Sequence, residues 1–432
     1  MRATTPPMGW NSWDSYGTTV TEDEVLENAR FMAERMLPLG WDTVVVDIAW
    51  YDPTARSHGY NADAPLTLDA FGRQMPAVNR FPSAADGAGF APLAAAVHAL
   101  GLKFGLHIMR GIPRLAVDQD LPIHGTEWSA AQVADRDHVC AWNPDNYGLN
   151  HDHPGAQAYY DAQVAQFAAW GVDFIKADDM QAPYYEREIA AYALAIERSG
   201  REISLSLSPG THLSTAHIPH LREHAQMWRV SDDLWDRWED VHAQFARMAR
   251  WAPFQQPGGW ADADMLPLGR IGLRAERGEP RDSRLTLDEQ RTLLTLWTMS
   301  RSPLMVGGDL PSSREETLSL LTNPAITEVL QTSVDGREIV REPLEDGDGE
   351  LIVWAARSAT SGRTYAAVFW TGQSAHQASV DLSSILGIGH ARVAATDLWP
   401  GQATSIETNR LVATVPAHGV AWVAFDAEEA QA

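Results

Sequence analysis

The chain has 432 residues, of which 45% are hydrophobic and 21% charged, and these proportions are typical of a globular protein long enough for two domains. Its formal net charge of −24 excludes nucleic acids and anionic membranes as partners, because their phosphates would be repelled. No segment approaches the roughly 20 apolar residues of a membrane-spanning helix, and the single cysteine, Cys140, excludes an internal disulfide. Because the N-terminal residues show no apolar signal-peptide core, we expect a cytoplasmic protein.

Short apolar runs alternate with helical patterns through the first three quarters of the chain. The runs cover residues 8–13, 43–51, 103–109, 174–180, 203–208, 227–233, 260–266 and 303–309. Between them lie stretches such as 22–40, whose apolar residues recur at helical spacing. Eight strands separated by helices predict an α/β fold, a (β/α)₈ TIM barrel, which we assign to residues 1–333. The intervals 52–100 and 110–155 are long for one connection and predict inserted loops.

The pattern changes after residue 333. Several β-type runs follow one another, separated by turn residues such as WPGQ at 399–402, and no helical pattern intervenes. We therefore predict an antiparallel β-sandwich domain over residues 334–432, which supports the barrel rather than binding sugar.

Carboxylates collect where the predicted barrel strands end, and TIM-barrel enzymes carry their catalytic groups at these ends. The second, fourth, sixth and seventh runs each contribute charged residues there. They are Asp47; Lys176, Asp178 and Asp179; Arg229, Asp232 and Asp233; and Asp262 and Asp264. Acids that serve only solubility would not cluster inside apolar runs, so this end of the barrel is the candidate active site.

Strand parity selects among these residues, because alternate side chains of a strand share a face. Lys176 and Asp178 both point into the barrel mouth, whereas Asp179 faces the helical layer or a loop. Arg229 and Asp233 share a face in the same way. A lysine beside Asp178 keeps that carboxylate ionised, as a nucleophile requires; the alternative is a purely structural ion pair.

Two carboxyl groups facing one another across a barrel mouth are the requirement for glycoside hydrolysis. One attacks the anomeric carbon and the other protonates the departing oxygen, and retaining enzymes hold them roughly 5–5.5 Å apart. Asp178 and Asp233, on the fourth and sixth strands, are the pair that we expect to do so.

Five segments in the same order resemble glycoside hydrolase family 27, which contains α-galactosidases and α-N-acetylgalactosaminidases. They are PPMGWNSWDSYG near the N-terminus, WGVDFIKADD (170–179), WRVSDDLWDRW (228–238), PGGWADADML (257–266) and SRSPLMVGGDL (300–310). The resemblance implies that Asp178 is the nucleophile and that Lys176 contacts the sugar. It also implies that Asp233, four residues after the substrate-binding Arg229, is the general acid/base.

The resemblance further implies that Trp13 forms one wall of the pocket and that Asp264 lies beside the sugar. Asp262 is then either a supporting neighbour or a carboxylate that caps its own loop. His107 stands where the family commonly has tyrosine and can donate to a sugar hydroxyl or support another residue. Ser208 stands in a loop that normally reads the 2-substituent, and its changed sequence does not favour an N-acetyl sugar.

The most informative departure from the family pattern lies at the end of the second strand. Galactosidases of this family usually carry two adjacent acids there, which hold the O4/O6 edge of galactose, but here Ile48 follows Asp47. β-L-Arabinopyranose is galactose without the hydroxymethyl group, so an apolar residue suits it. Within the family this replacement resembles the arabinopyranosidase branch; the alternative is that Ile48 only packs.

The sequence thus predicts a retaining exo-glycosidase that removes terminal α-D-galactose-like sugars, with β-L-arabinopyranosidase specificity as the alternative. Its partner is a glycoside or oligosaccharide with a terminal sugar, and we expect neither a cofactor nor a metal. Two other classes stay open, since barrels host many chemistries: a metal-dependent lyase or isomerase, and a catalytically silent sugar-binding protein.

Overall fold

The computed structural model describes residues 3–344, 348–387 and 394–426, and the chain forms two compact units. The first unit comprises the residues up to Asp233 together with 257–282 and 304–313. The second comprises residues 234–256 and 283–303 and the chain from Arg314 onward. The domain limits 1–333 and 334–432 stay a prediction, since residues 1–2, 345–347, 388–393 and 427–432 lie outside the described residues.

Eight parallel strands form the main sheet of the first unit. They are β1 (Met8–Asn11), β2 (Thr43–Val46), β3 (Lys103–Met109), β4 (Phe174–Asp178), β5 (Ser204–Leu207), β6 (Met227–Arg229), β7 (Trp260–Asp262) and β8 (Leu304–Val306). Neighbours follow the order β7-β6-β5-β4-β3-β2-β1-β8, and a parallel bridge between Leu266 and Val306 joins the two edges. The predicted TIM barrel is confirmed.

Helices of the first unit lie between these strands. They are α1 (Trp13–Tyr16), α2 (Glu22–Arg35), α3 (Ala91–Ala99), α4 (Arg114–Asp118), α5 (Ala130–Val133), α6 (Pro154–Trp170), α7 (Glu186–Ser199) and α8 (Ile218–His224). Helix α2 begins at a capping box between Thr21 and Glu24, which satisfies free N–H groups of its first turn. It buries one face with helical spacing, at Val25, Asn28, Ala29 and Met32.

The long connections predicted after β2 and β3 are both present. The first carries the short 3₁₀ segment Pro82–Gly87 before α3. The second contains a three-stranded antiparallel sheet of Ile112–Pro113, Asn146–Leu149 and Ala134–Val139. Both insertions follow the carboxyl ends of barrel strands, and this is the end at which the candidate site lies.

The second unit contains helices and two antiparallel sheets. Its helices are α9 (Trp238–Trp251), α10 (Leu287–Ser300), α11 (Glu315–Leu321), α12 (Pro324–Thr332) and α13 (Leu382–Leu386). Its strands are β9 (Ser333–Pro343), β10 (Glu350–Ser358), β11 (Thr364–Trp370), β12 (His376–Asp381), β13 (Ala395–Asp397), β14 (Thr404–Glu407), β15 (Arg410–Val415) and β16 (Val420–Phe425). The sheets run β9-β10-β11-β16-β13 and β12-β15-β14.

Both sheets of the second unit contribute side chains to one apolar core, which makes the predicted sandwich. Val353 and Val368 from the larger sheet lie in the same buried cluster as Val380 and Leu411 from the smaller sheet. In the described parts of the chain, no helix combines the length and the apolar character that crossing a bilayer requires.

A buried arginine fixes the loops that follow β1 and β2. The guanidinium of Arg80 donates hydrogen bonds to four main-chain carbonyls, those of Thr18, Val20, Ala49 and Asp52. Burial lowers the pKa of Arg80 to about 10, which still leaves it charged at neutral pH. The loop that carries Asp47 and Ile48 is therefore held by main-chain contacts independent of any ligand.

Replacing Arg80 with methionine should destabilise the first unit, because four buried carbonyls lose their donor. We expect the free energy of unfolding to fall by about 3 kcal/mol or more, measured by urea unfolding followed by tryptophan fluorescence. Arg30→Met, on the exposed side of α2, is the control. Equal unfolding midpoints for the two variants would contradict the role assigned to the guanidinium.

Candidate active site

A buried ion pair joins the carboxyl ends of β2 and β4. Lys176 Nζ donates to Asp47 Oδ2 at 2.9 Å, and the two side chains are 13% and 2% exposed. The amide of Asn11 donates to the same oxygen at 2.7 Å. Burial favours the neutral form of Asp47, but the charge of Lys176 outweighs it and lowers the pKa of the carboxyl. Asp47 is therefore an ionised acceptor at the barrel mouth.

Asp178, the predicted nucleophile, ends β4 beside this pair. Its Oδ2 lies 3.2 Å from His107 Nε2, and its Oδ1 accepts a hydrogen bond from the Asp179 amide at 2.9 Å. Burial alone would raise the pKa of Asp178, yet the hydrogen bond from His107 and the charge of Lys176 bring it well below its usual range. The carboxylate is thus ionised at any pH near neutrality.

Lys176 bonds to a different partner from the one expected, whereas His107 supports another residue, as one of its two sequence interpretations states. The charge of Lys176 lowers the pKa of Asp178 as predicted, but its ammonium bonds to Asp47. The direct partner of Asp178 is His107, whose side chain is 1% exposed. The strand register explains this contact. His107 of β3 pairs with Lys176 of β4, two residues before Asp178, so its ring can reach the end of β4. As predicted, Asp179 turns away from the mouth. Its carboxylate pairs instead with Arg110, at 2.8 Å.

Arg229, at the end of β6, connects two further acids. Its Nη2 lies 3.1 Å from Asp233 Oδ1 and its Nη1 lies 2.9 Å from Asp264 Oδ1. Asp233 is 42% exposed, whereas Arg229 is 5% exposed. The parity argument for Asp233 was wrong, because β6 ends at Arg229 and Asp233 follows a bend. The two side chains nevertheless meet through that bend.

The acid that ends β7 and the acid that follows it have separate positions. Asp262 is the last residue of the strand, and its Oδ1 accepts a hydrogen bond from the Asp264 amide at 3.0 Å. Asp264 has φ = 91°, a left-handed conformation that such a bond stabilises. Asp262 therefore caps its own loop and also supports Asp264, which pairs with Arg229, so both of its sequence interpretations describe it.

Aromatic and apolar side chains line the other part of the mouth. Trp13 stacks on Tyr60, with ring centroids 5.9 Å apart and planes at 16°. Trp13 and Ile48 belong to one apolar cluster with Met109 and Cys140, and Ile48 is 2% exposed. The residue beside Asp47 is thus surrounded by hydrocarbon and sulfur.

Ser208 is the predicted site residue that the structure does not connect with the others. It follows β5, and its amide donates to the carbonyl of Ala177 at 3.0 Å. Its hydroxyl is buried and makes no hydrogen bond within the described residues. A role for Ser208 in substrate binding stays a prediction.

Three residues of the mouth escaped the sequence analysis. Asn11, at the end of β1, accepts from the Trp13 amide at 2.9 Å while it donates to Asp47. Tyr60 comes from the insertion after β2, which has no recognisable pattern. Asp14 directly follows Trp13 and the first apolar run, and this position was a signal that it belongs to the mouth.

Asp14 is a buried carboxyl group of a different kind. Its Oδ2 has no hydrogen-bond partner in the described residues, and a Cβ on Gly307 would lie 1.8 Å from that oxygen. Burial and, secondly, the charge of Asp264 raise the pKa of Asp14 well above its usual value. These surroundings therefore favour the neutral form of Asp14, which can donate a hydrogen bond.

The mouth as a whole combines ionised acceptors, two cations and an aromatic wall. Asp178 and Asp233 both lie within electrostatic range of Arg229 and of Tyr60. Carboxylates and cations that alternate in this way can bind several hydroxyl groups of a neutral polyol, while a ring face stacks on apolar carbon.

Asp262 gives a test of this electrostatic description, since burial raises its pKa to about 6. Between about pH 4 and 6 this carboxyl is largely ionised in the unfolded chain but largely protonated in the folded chain. Folding therefore becomes less favourable as the pH rises through this range. Asp262→Asn keeps the acceptor oxygen and removes the titration. Relative to this variant, the wild type should lose about 2 to 3 kcal/mol of unfolding free energy from pH 4 to pH 7.

Asp178→Asn is the matched variant with the opposite sign, because the pKa of Asp178 is lowered in the folded protein. Relative to it, the wild type should lose unfolding free energy as the pH falls below about 5 toward 4. Urea unfolding at several pH values measures both differences. Parallel curves for Asp262→Asn and wild type would contradict a buried titrating group at position 262.

Comparisons with known proteins agree with this geometry. Residues 145–332 match the family described as alpha galactosidase A, and residues 348–425 match the alpha galactosidase C-terminal beta sandwich domain. The rice α-galactosidase (Oryza sativa subsp. japonica) is 27% identical over 91% of this chain and 78% of its own length. The human α-N-acetylgalactosaminidase is 27% identical over 82% of this chain and 78% of its own.

A solved structure is more similar. The β-L-arabinopyranosidase of Geobacillus stearothermophilus is 46% identical, with a TM-score of 0.94, and the match covers 100% of this chain and 98% of that one. A variant of that enzyme, solved in complex with arabinose, matches with 46% identity and a TM-score of 0.93 over 99% and 98% of the two chains. The chain therefore belongs to glycoside hydrolase family 27 and is a glycoside hydrolase.

Proposed function

We propose that this protein is a retaining exo-β-L-arabinopyranosidase. The observation that carries the proposal is Ile48, which is buried in an apolar cluster directly beside the ionised Asp47. The 46% identity to the β-L-arabinopyranosidase of G. stearothermophilus supports the same assignment.

The selectivity would follow from the cost of an unpaired hydroxyl. α-D-Galactose differs from β-L-arabinopyranose only by the hydroxymethyl group on its ring. If that group faces Ile48, its hydroxyl is removed from water and finds no acceptor, at a cost of about 1 to 3 kcal/mol. Arabinopyranose avoids the cost, while Asp47 and Lys176 remain available to hydroxyl groups that both sugars share.

The proposed chemistry is a double displacement. Asp178 Oδ attacks the anomeric carbon as the glycosidic bond breaks, and Asp233 donates a proton to the departing oxygen. Asp233 then accepts a proton from water, which attacks the anomeric carbon, breaks the ester and restores Asp178. Arg229, which contacts Asp233 and Asp264, would fix the acid relative to the sugar.

An α-D-galactosidase is the second candidate function. The curated α-galactosidases of plants, such as that of rice, support it through similarity along most of the chain. The apolar surroundings of the buried Ile48 weigh against it, because an additional hydroxyl facing them would find no acceptor.

Two nitrophenyl substrates separate the candidates. We expect kcat/KM for the β-L-arabinopyranoside to exceed that for the α-D-galactopyranoside by about tenfold or more. Ile48→Asp supplies an acceptor for the hydroxymethyl group and should reverse the preference, whereas Ile48→Val, the control, should keep it. A wild type that prefers the galactoside would overturn the proposed specificity.

The roles of the two carboxylates are tested separately. Asp178→Ala should lose about 10³-fold or more in kcat, because no nucleophile remains. Added azide should restore turnover and yield a glycosyl azide of inverted configuration, whereas azide rescue of Asp233→Ala should yield the retained configuration. Asp232→Asn, at the exposed neighbouring acid, is the control and should retain most activity.

The stereochemical course is read directly from wild-type turnover followed by proton NMR. The first sugar anomer released should have the configuration of the substrate. An inverted first product would exclude the double displacement, even if Asp178 and Asp233 are both essential.

A further inference from the structure

We propose that Trp142, together with Val139, forms a platform on which the sugar residue of the leaving group stacks when the glycosidic bond is broken. This inference rests on the proposed function and adds to it the class of leaving group, a neutral pyranose. It starts from the exposure of two neighbouring apolar side chains on the insertion after β3.

Large exposed hydrophobic side chains are few and scattered in the described residues. Only two of them lie within three residues of each other along the chain, namely Val139 and Trp142, which are 38% and 39% exposed. An indole at such a position exposes apolar area to water, and at a site mouth this area is open to a ligand.

The platform is continuous with the wall of the candidate site. Tyr60 stacks on Trp13 on one side and packs against Trp142 on the other, with ring centroids 5.5 Å apart and planes at 48°. Burial and the charge of Asp178 raise the pKa of the Tyr60 hydroxyl, which indicates that this central ring lies close to the reacting groups. Three aromatic rings thus lead from the sugar-binding wall outward to solvent.

The segment around Trp142 is fixed on both sides. Cys140 is buried in the apolar cluster that contains Trp13 and Ile48. Asn143 is 1% exposed, and its Oδ1 accepts a hydrogen bond from the main-chain amide of Asp145 at 2.9 Å. The Asp145 carboxylate in turn accepts a hydrogen bond from the Tyr51 hydroxyl at 3.0 Å. The indole is therefore presented by a segment anchored on both flanks, which lowers the entropy cost of binding.

The charge of the mouth selects the ligand. Asp178, Glu276, Asp47 and Asp233 all act on Tyr60 with negative charge. The mouth cations Lys176 and Arg229 are already paired with carboxylates, so an anionic leaving group would be disfavoured. A neutral pyranose presents a face of C–H bonds that stacks on indole, and its hydroxyl groups remain in water. The structure thus favours an oligosaccharide substrate over a charged conjugate.

Paired substrates test the platform. Two substrates are prepared for each of the two sugars, β-L-arabinopyranose and α-D-galactose. The first is the glycosyl fluoride, whose leaving group is too small to reach the platform. The second is a disaccharide in which the sugar is linked to a neutral hexose. Trp142→Ala should lower kcat/KM for the cleaved disaccharide about tenfold and leave the fluoride within about twofold. Trp142→Phe, which keeps a ring, should retain most activity on the disaccharide.

Inhibition by the free monosaccharide should be equal in wild type and Trp142→Ala, because that sugar binds where the terminal sugar of the substrate binds and does not reach the platform. Equal losses of kcat/KM on the fluoride and the disaccharide would assign Trp142 a structural role and overturn the platform. No loss on either substrate would also overturn the platform. A shift of Trp142→Ala to a smaller species in analytical ultracentrifugation would instead identify a contact between two copies of the chain. A wild type that cleaves neither sugar would reject the proposed function, and the platform with it.

Discussion

The site depends on the requirement that a buried charge must have a partner. Two cations, Lys176 and Arg229, are removed from water, and each is satisfied by carboxylates from different strands. Either cation alone would be costly, and either carboxylate alone would become protonated. Because the pairs connect residues far apart in sequence, the strand ends cannot separate without breaking them. The same contacts therefore hold together the strand ends that carry the candidate catalytic groups.

The charged part and the apolar part of the mouth have complementary roles. Ionised oxygens such as those of Asp47 are acceptors whose positions are set by strand register. In the proposed function, Ile48 and Trp13 supply the apolar surface that would penalise an additional hydroxyl group on the sugar. Specificity in such a site arises largely from the penalty on the wrong substrate, and a single apolar side chain beside an acid is sufficient to impose it.

Much of the fold and the core of the site could be predicted from sequence, because apolar runs mark parallel strands and acids at their ends are conspicuous. Strand ends were predicted too late in several cases, and the parity argument for Asp233 failed for that reason, since a bend follows Arg229. The partner of Lys176 was missed because register between strands is not encoded in one strand. Tyr60 lies on an insertion without periodicity, and no local pattern could assign it to the mouth.

The double hydrogen bond of Asn11 has a consequence for redesign of the site. The side-chain amide of Asn11 donates to Asp47 and accepts from the main-chain amide of Trp13. A rotation of this amide group would therefore change both hydrogen bonds together. Removing the charge at position 47 would allow the amide to rotate, and the main chain at Trp13 would lose this hydrogen bond. Attempts to alter the hydroxyl-binding side should therefore disturb the stacking side as well, and successful changes of sugar preference would need compensating substitutions at both.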